Sequence, residues 1–255
     1  MRQVPASSQP SELAREAHYL LVGDGRLAWH FAHYLNLENQ SFDQWSRRTG
    51  SADALKAFAE RSTHVLLAIS DSAIEPFLMA HPFLRRLTCI HFSGALVTPF
   101  AASVHPLMTF GPLLYSVEDY RQIPFIVERE RPTTLPGLGN SVFEIAAELK
   151  PLYHALCAAG GNFTVMLWEA VFARFASLGL PREVLLPYMV RTTTNLLNAD
   201  GESVLTGPLK RGDFETVEKH LAALDGDPLA DVYRAFVRFA LPQKQPTPFP
   251  LGGLV

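Results

Sequence analysis

The sequence predicts an α/β protein: an N-terminal, doubly wound domain with a parallel sheet, followed by an all-helical C-terminal domain. Three observations support this fold class. Short β-like runs alternate with helical patterns in the first half of the chain, and a glycine turn directly follows the first run. Beyond Pro132 the patterns have only helical periodicity, and no β-rich run is recognised there.

Alternation of strands and helices defines the first domain. The run at 64–69 is almost continuously apolar, which is typical of a strand covered on both faces. Helical patterns at 27–37 and 52–61 separate the early strands, and such alternation favours a parallel sheet with right-handed crossovers. The predicted strands are 18–22, 42–46, 64–69, 89–92 and 123–127, with a weaker candidate at 107–110.

The second domain is predicted to be helical throughout. Its helical patterns cover residues 141–149, 153–178, 181–197, 214–224 and 229–240. We therefore predict domains at 17–145 and 146–241. Flexible tails are predicted at 1–16 and 242–255, the latter containing four prolines.

Composition excludes several classes of protein. With 22 Lys and Arg against 25 Asp and Glu, the chain lacks the basic excess of a nucleic-acid binder. Two distant cysteines, Cys89 and Cys157, form neither a disulfide framework nor a metal site. Residues 151–168 are uncharged, but the glycines and polar side chains among them favour a buried helix in a domain or dimer interface. We expect a cytoplasmic protein without membrane or metal.

The glycine turn has the G-x-G-x-x-A spacing of a dinucleotide-binding motif. Gly23 permits the tight turn after the strand, and Gly25 permits close approach of a pyrophosphate. The predicted binding residues of this turn are Gly23, Asp24, Gly25, Arg26, Leu27 and Ala28. A purely structural turn is the alternative. Asp24 is atypical, since its carboxylate must point away from the pyrophosphate or weaken its binding.

The end of the second predicted strand favours NADP over NAD. NAD-binding domains usually place an acidic residue there for the ribose hydroxyls. This chain has Ser46, Arg47 and Arg48 instead, and a guanidinium can pair with a 2′-phosphate through two hydrogen bonds. The alternative is a solvated basic loop.

Polar residues follow the third predicted strand. Ser70 and Asp71 lie where ligands bind in open α/β sheets and are candidate cofactor contacts. Asp71 or Ser72 could equally cap a helix beginning at Ala73.

Further segments resemble a known family. They are His91-Phe-Ser93-Gly94-Ala95, His105-Pro106-Leu-Met-Thr109-Phe110, and Thr206-Gly207-Pro208-Leu-Lys-Arg211-Gly212-Asp213. Together with Tyr153-His154 and Gly161-Asn162-Phe163, they resemble the Rossmann-like proteins with a C-terminal domain of unknown function 2520. The resemblance implies an NADP-binding Rossmann-type domain joined to a helical domain. It also implies membership of the wider 6-phosphogluconate dehydrogenase-like, ketopantoate reductase-like and pyrroline-5-carboxylate reductase-like group, whose members dimerise through helices.

Candidate catalytic residues follow from the needs of hydride transfer, in which a side chain donates or accepts a proton. They are His154, Asn162, His91 and Ser93. The candidate substrate-binding residues are His105, Arg211 and Thr206. For each histidine, a structural hydrogen bond is the alternative, and Asp213 is a natural N-cap.

The sequence therefore predicts an NADP-dependent oxidoreductase, forming a homodimer through its helical domain. Its substrate would be a small anionic carbonyl or imine compound bound between the domains. The alternative is a catalytically silent NADP-binding sensor or scaffold, because the lysine expected from hydroxyacid dehydrogenase relatives is absent from 153–162. An imine reductase resembling pyrroline carboxylate reductase would differ only in substrate.

Overall fold

A seven-stranded sheet organises the first part of the chain. The computed structural model describes residues 17–240, so the predicted tails at 1–16 and 242–255 lie outside the described residues. Strands lie in the order β2-β1-β3-β4-β5-β6-β7. They are β1 His18–Val22, β2 Ser41–Trp45, β3 His64–Leu67, β4 Thr88–His91, β5 Ala102–Pro106, β6 Phe125–Glu128 and β7 Val142–Ile145.

Helices cover both faces of this sheet. The first four are α1 Arg26–Leu37, α2 Ala52–Arg61, α3 Asp71–Ala80 and α4 Val117–Arg121. One core contains Tyr19, Leu21 and Phe31, and the other contains Leu20, Val22 and Leu55. Successive β1 residues thus enter opposite cores, as a strand buried on both faces requires. The predicted Rossmann-type fold class is confirmed.

The order of the strands creates a switch point. Strand β1 pairs with β2 on one side and with β3 on the other, all parallel. The strand that follows β1 in the sequence therefore lies on one side of it, and the next strand lies on the other side. In open α/β sheets, ligands bind beside such a point, outside the carboxyl ends of the strands.

Three expectations for the sheet were wrong. Strand β6 runs antiparallel to β5, so the sheet is mixed. The weak strand candidate at 107–110 lies beyond β5, which ends at Pro106. Residues 141–149, predicted as helix, contain strand β7 and a short 3₁₀ turn at Ala147–Leu149. Pairing of β7 with β6 overrides the helical periodicity of this segment.

After strand β7, the described part of the chain consists of helices and short connections. The helices are α5 Lys150–Cys157, α6 Phe163–Ser177, α7 Leu186–Asn198, α8 Gly201–Val204, α9 Pro208–Arg211, α10 Phe214–Ala223 and α11 Leu229–Ala240. Backbone contacts divide the chain into two compact units, with the division between Thr164 and Val165. The predicted domain boundary at 145/146 stays a prediction.

The long apolar segment is not buried as expected. Helical residues Ala147–Ser177 are long and apolar enough to cross a membrane by length and composition, and only 6% of the most apolar window is buried. Of the two settings expected for 151–168, burial inside a domain is therefore wrong for the single chain, and burial in a dimer interface stays a prediction. Phe163, Val165 and Met166 are all more than half exposed.

Candidate functional site

The two motif glycines have different physical roles. Gly23 has φ +134°, and a Cβ there would lie 2.2 Å from the Ala68 carbonyl oxygen at the end of β3. Its NH also donates to the Trp45 carbonyl oxygen at 2.8 Å. A Cβ at Gly25, by contrast, would meet nothing within 4 Å. Gly23 is therefore needed for the fold, while Gly25 borders open space.

Gly25 is also the N-cap of α1. No side chain caps this helix, and its first turn has no acidic residue. The first backbone NH groups are thus available to an anion, and the helix dipole favours negative charge there. This cradle fits the pyrophosphate of a dinucleotide.

A cavity of about 620 Å³ lies at the switch point beside this turn. It is bounded by the ends of β1, β2 and β3 and by α3. Its lining includes the predicted residues Gly23, Asp24, Gly25, Ser46, Arg47, Arg48 and Ser70. The structure thus brings the glycine turn and the arginine pair together at one cavity. Arg26, Leu27 and Ala28 continue into α1 and do not line it.

Part of the lining was missed from the sequence. Ile69 ends the third apolar run, and Ala73, Pro76 and Phe77 lie on α3. Together they form an apolar wall of the kind that suits a flat aromatic ring. Their position directly after a central strand is the sequence signal that could have identified them.

Asp24 and Arg48 connect the two predicted motifs. The Arg48 Nε donates to Asp24 Oδ2 at 2.9 Å. Hydrogen bonds from Arg48 and then Ser46 lower the pKa of the Asp24 carboxyl below its usual value. The Ser46 hydroxyl also lies 2.9 Å from that of Thr49, within the turn that carries both arginines.

Asp71 and Ser93 meet at the carboxyl ends of β3 and β4. Helix α3 begins at Asp71 with Ser70 at the N-cap, so a cap by Asp71 or Ser72 is not formed. Instead, the Ser93 hydroxyl donates to Asp71 Oδ2 at 2.5 Å. It also accepts the backbone NH groups of Ala95 and Leu96. These bonds shape the loop after β4.

His91 is fully buried at the end of β4. Its Nδ1 accepts the Ser93 NH at 3.2 Å, and its Nε2 has no partner among the described residues. Burial, followed by the nearby charge of Lys150, lowers the pKa of His91 to about 3. The ring is therefore neutral at physiological pH.

His105, Tyr153 and His154 form an aromatic cluster beside Gly94. The Tyr153 hydroxyl lies 2.6 Å from His105 Nδ1. A Cβ at Gly94 would lie 2.5 Å from His154 Nδ1 and 3.1 Å from His105 Nε2. Burial and then His154 lower the pKa of His105 to about 4. Only glycine at position 94 lets the His154 ring approach this loop.

A π-turn at Ala158–Asn162 separates α5 from α6. The Phe163 NH donates to the Ala158 carbonyl oxygen, five residues back, and the Thr164 hydroxyl donates to the Gly160 carbonyl oxygen at 2.9 Å. In a regular α-helix, two residues eight positions apart differ by about 80° around the helix axis. The π-turn accommodates one extra residue between them, which reduces this angle to about 20°. His154 and Asn162 therefore share one helix face.

The loop after β5 connects the glycine motif to this π-turn. Arg26 donates to the Phe110 carbonyl oxygen at 3.4 Å, and a Cβ at Gly161 would lie 3.2 Å from Thr109 Cγ2. Buried His30 holds the same loop through its Nε2, which lies 2.9 Å from the Gly111 carbonyl oxygen.

A buried ion pair supports the cluster. Lys150 Nζ lies 2.7 Å from Glu128 Oε1 and also donates to the Leu96 carbonyl oxygen. Its side chain is only 3% exposed, and burial lowers the pKa of Lys150. Lys150 thus joins α5, β6 and the loop after β4, with its donors facing protein groups.

Thr206 and Arg211 belong to the second unit. Both are exposed, and their predicted substrate contacts stay predictions. The N-cap predicted at Asp213 is formed, since its Oδ1 accepts the Thr216 NH at 3.1 Å. Among residues 17–240, no group of three His, Cys, Asp or Glu side chains is suited to a metal ion.

Comparison with known proteins identifies the C-terminal part of the chain. Residues 133–239 match the model of a domain of unknown function, DUF2520. The chain thus has a Rossmann-type fold, and its C-terminal region matches DUF2520. The predicted resemblance is thereby confirmed. His154 and Asn162 lie in the matched range, whereas the glycine turn lies before it. A search of curated proteins found no match.

Solved structures show the same fold along most of the chain. A Bacteroides fragilis protein provisionally named an NADP oxidoreductase is 18% identical with a TM-score of 0.67, over 88% of this chain and 98% of that one. Protein TM1727 from Thermotoga maritima is 25% identical with a TM-score of 0.60, over 87% and 96%. A reductive aminase from Aspergillus terreus in complex with NADPH is 14% identical with a TM-score of 0.59, over 88% and 95%.

Proposed function

We propose that this DUF2520 protein is a nicotinamide-dependent oxidoreductase that prefers NADP and acts on a small anionic carbonyl or imine compound. The observation that carries the proposal is the switch-point cavity, bounded by the glycine turn and by Arg47 and Arg48. The names of the Bacteroides and Aspergillus neighbours support the same cofactor. When bound, the nicotinamide would supply the hydride.

The chain's residues would bind the cofactor in three parts. The NH groups at the start of α1 suit the pyrophosphate, because they lack an internal side-chain partner. Phe77 and the apolar wall of α3 suit the adenine ring. Arg47 and Arg48 supply positive charge to a 2′-phosphate.

The His105–Tyr153–His154 cluster is the proposed proton-transfer group. The contact between His105 Nδ1 and the Tyr153 hydroxyl, 2.6 Å long, fixes both rings, and burial raises the pKa of Tyr153, so that its hydroxyl stays protonated. The adjacent, exposed His154 can donate or accept the proton at the reacting oxygen or nitrogen. Asn162, on the same helix face, would orient the substrate. We assign Ser93 to shaping the loop, since its hydroxyl is fully used by Asp71 and two backbone NH groups.

One observation favours the alternative of a silent NADP-binding sensor. Lys150, three residues before Tyr153, is buried and paired with Glu128 and a backbone carbonyl, so it cannot serve as a substrate-facing acid. Turnover with a panel of carbonyl and cyclic imine compounds decides between the two. An enzyme loses turnover in His154→Ala and Asn162→Ala while still binding NADPH, whereas a sensor has no turnover in the unmodified protein.

Fluorescence titration with NADPH and NADH tests the cofactor assignment. We expect tighter binding of NADPH, and a much larger loss for NADPH than for NADH when Arg47 and Arg48 are both replaced by Ala. Equal losses for the two cofactors would contradict the 2′-phosphate role. Binding of neither cofactor to the unmodified protein would show that the glycine turn is structural.

A further inference from the structure

We infer that Asp24 sets the cofactor preference of this protein, by binding the ribose 2′-hydroxyl of NAD and opposing the 2′-phosphate of NADP. The inference rests on the proposed function. It adds that the site accepts both cofactors, and that its preference for NADPH is smaller than the two arginines alone would produce.

Asp24 lies close to the end of the second strand, where the cofactor ribose is expected. NAD-binding Rossmann domains place a ribose-binding carboxylate at the end of the second strand. Here that strand end carries Ser46, Arg47 and Arg48, and the carboxylate lies on the glycine turn, which lines the same cavity. The ion pair between Arg48 Nε and Asp24 Oδ2, 2.9 Å long, shows that the two segments meet at hydrogen-bond distance. A carboxylate is therefore present beside the ribose position, supplied by a different loop.

The Asp24 carboxylate interacts differently with a ribose hydroxyl and with a phosphate. An ionised carboxylate only accepts hydrogen bonds, so Asp24 can accept from a ribose hydroxyl. A phosphate ester at the same carbon has no proton to offer and is itself an anion. Asp24 and the 2′-phosphate would then compete for the Arg48 guanidinium and repel each other.

Exposure leaves Asp24 and Arg48 free to change partners. Their side chains are 40% and 77% exposed, and an exposed ion pair of this kind contributes little to folding. Arg48 can turn toward a phosphate without unfolding its turn, which is held by backbone bonds from Thr49 and Gly50 to the Ser46 carbonyl oxygen.

Equilibrium titration of Asp24→Asn with NADPH and NADH tests the inference. The substitution keeps the size of the side chain and removes its charge. We expect NADPH to bind about five- to tenfold more tightly, as loss of one nearby repulsion implies. NADH should bind more weakly, because the ribose hydroxyl loses a charged acceptor, and NADH binding that does not weaken would overturn the ribose contact. Glu60→Gln is the matched control, because it makes the same change of net charge on α2, outside the cavity lining.

The remaining outcomes separate this inference from the proposed function. Weaker or unchanged NADPH binding by Asp24→Asn, with the unmodified protein binding NADPH, overturns the role of Asp24 alone. An equal gain in Glu60→Gln would reduce the effect to net charge and overturn it as well. If the unmodified protein binds neither cofactor, the proposed function itself fails.

Discussion

At the scale of single residues, the two glycines of the glycine turn have different roles. Gly23 is required by its left-handed backbone and by the Ala68 carbonyl oxygen against it. Gly25 has an ordinary φ of −76° and open space around its Cα. Only the second glycine borders space that a ligand could occupy. This contrast allows cofactor binding to be separated from folding.

Gly25→Ala is expected to lose most of its NADPH affinity, at least tenfold, because the new methyl group occupies the space of the approaching pyrophosphate. The free energy of unfolding of Gly25→Ala should fall by less than about 1 kcal/mol, the difference between Gly and Ala at an N-cap.

Gly23→Ala should instead lose about 2 kcal/mol or more of its free energy of unfolding, because of backbone strain and overlap with Ala68. Urea unfolding and NADPH titration of both variants provide the check. Full NADPH affinity in a folded Gly25→Ala protein would contradict a pyrophosphate site at this turn.

At the scale of elements, the π-turn and strand β7 show how contacts override local pattern. The segment 153–178 is predicted as one continuous α-helix. In the structure it stays helical along most of its length, but the wider π-turn at Ala158–Asn162 accommodates one extra residue. Gly160 and Gly161 have low helix propensity and weaken the competing α-helical geometry. Gly161 also lies against Thr109. The insertion changes which side chains share a face with His154.

Gly160→Ala and Gly161→Val form a matched pair for the contact between the π-turn and the loop after β5. Space is open at Gly160, so alanine there should raise the free energy of unfolding by about 0.5–1 kcal/mol. Valine at Gly161 should lower it by about 1–3 kcal/mol, because its side chain must displace Thr109. Urea denaturation measures both. A Gly161→Val protein as stable as Gly160→Ala would show that the loop does not pack there.

At the scale of the whole molecule, histidines with lowered pKa values are expected to make stability depend on pH. The pKa values of His105 and His91 fall to about 4 and about 3, from an ordinary 6.5. Burial also lowers the pKa of His64 and His81. Below pH 6.5 the unfolded chain therefore binds protons that the folded chain does not, and folding becomes less favourable.

The free energy of unfolding should accordingly be highest near pH 7 and fall steadily between pH 6.5 and 4. Urea midpoints at several pH values in this window measure the effect. His105→Gln should flatten the profile because it removes one of these protons, whereas the exposed His220→Gln is the control. A profile of unchanged slope in His105→Gln would contradict a lowered pKa of the half-buried imidazole at this position.

Self-association is the second property expected at this scale. Helix α6 presents Phe163, Val165 and Met166, each more than half exposed, and an apolar face of this kind is typical of an interface. We predict a homodimer, with a sedimentation mass of twice 28.3 kDa. Met166→Glu should shift the mass toward the monomer, while Glu169→Gln on the same helix should not. A monomeric mass for the unmodified protein at micromolar concentration would contradict this prediction.

Local interactions account for the elements that were predicted correctly. The strand–glycine–helix unit at 18–37, the arginines after β2 and the cap at Asp213 depend on residues within a few positions of each other. Backbone conformation and helix capping act over that range. For this reason the Rossmann-type domain and the position of the glycine turn could be predicted.

Features that join distant residues could not be predicted, because they depend on how the whole chain folds. The His105–Tyr153 contact spans 48 positions and the Lys150–Glu128 pair spans 22, so neither leaves a local pattern in the chain. The antiparallel β6 and the added β7 depend on pairing between strands, which overrides the preference of either segment alone. Likewise, the meeting of Asp24 with Arg48 across 24 positions follows from β1 and β2 lying side by side, because parallel pairing brings their carboxyl ends to one edge.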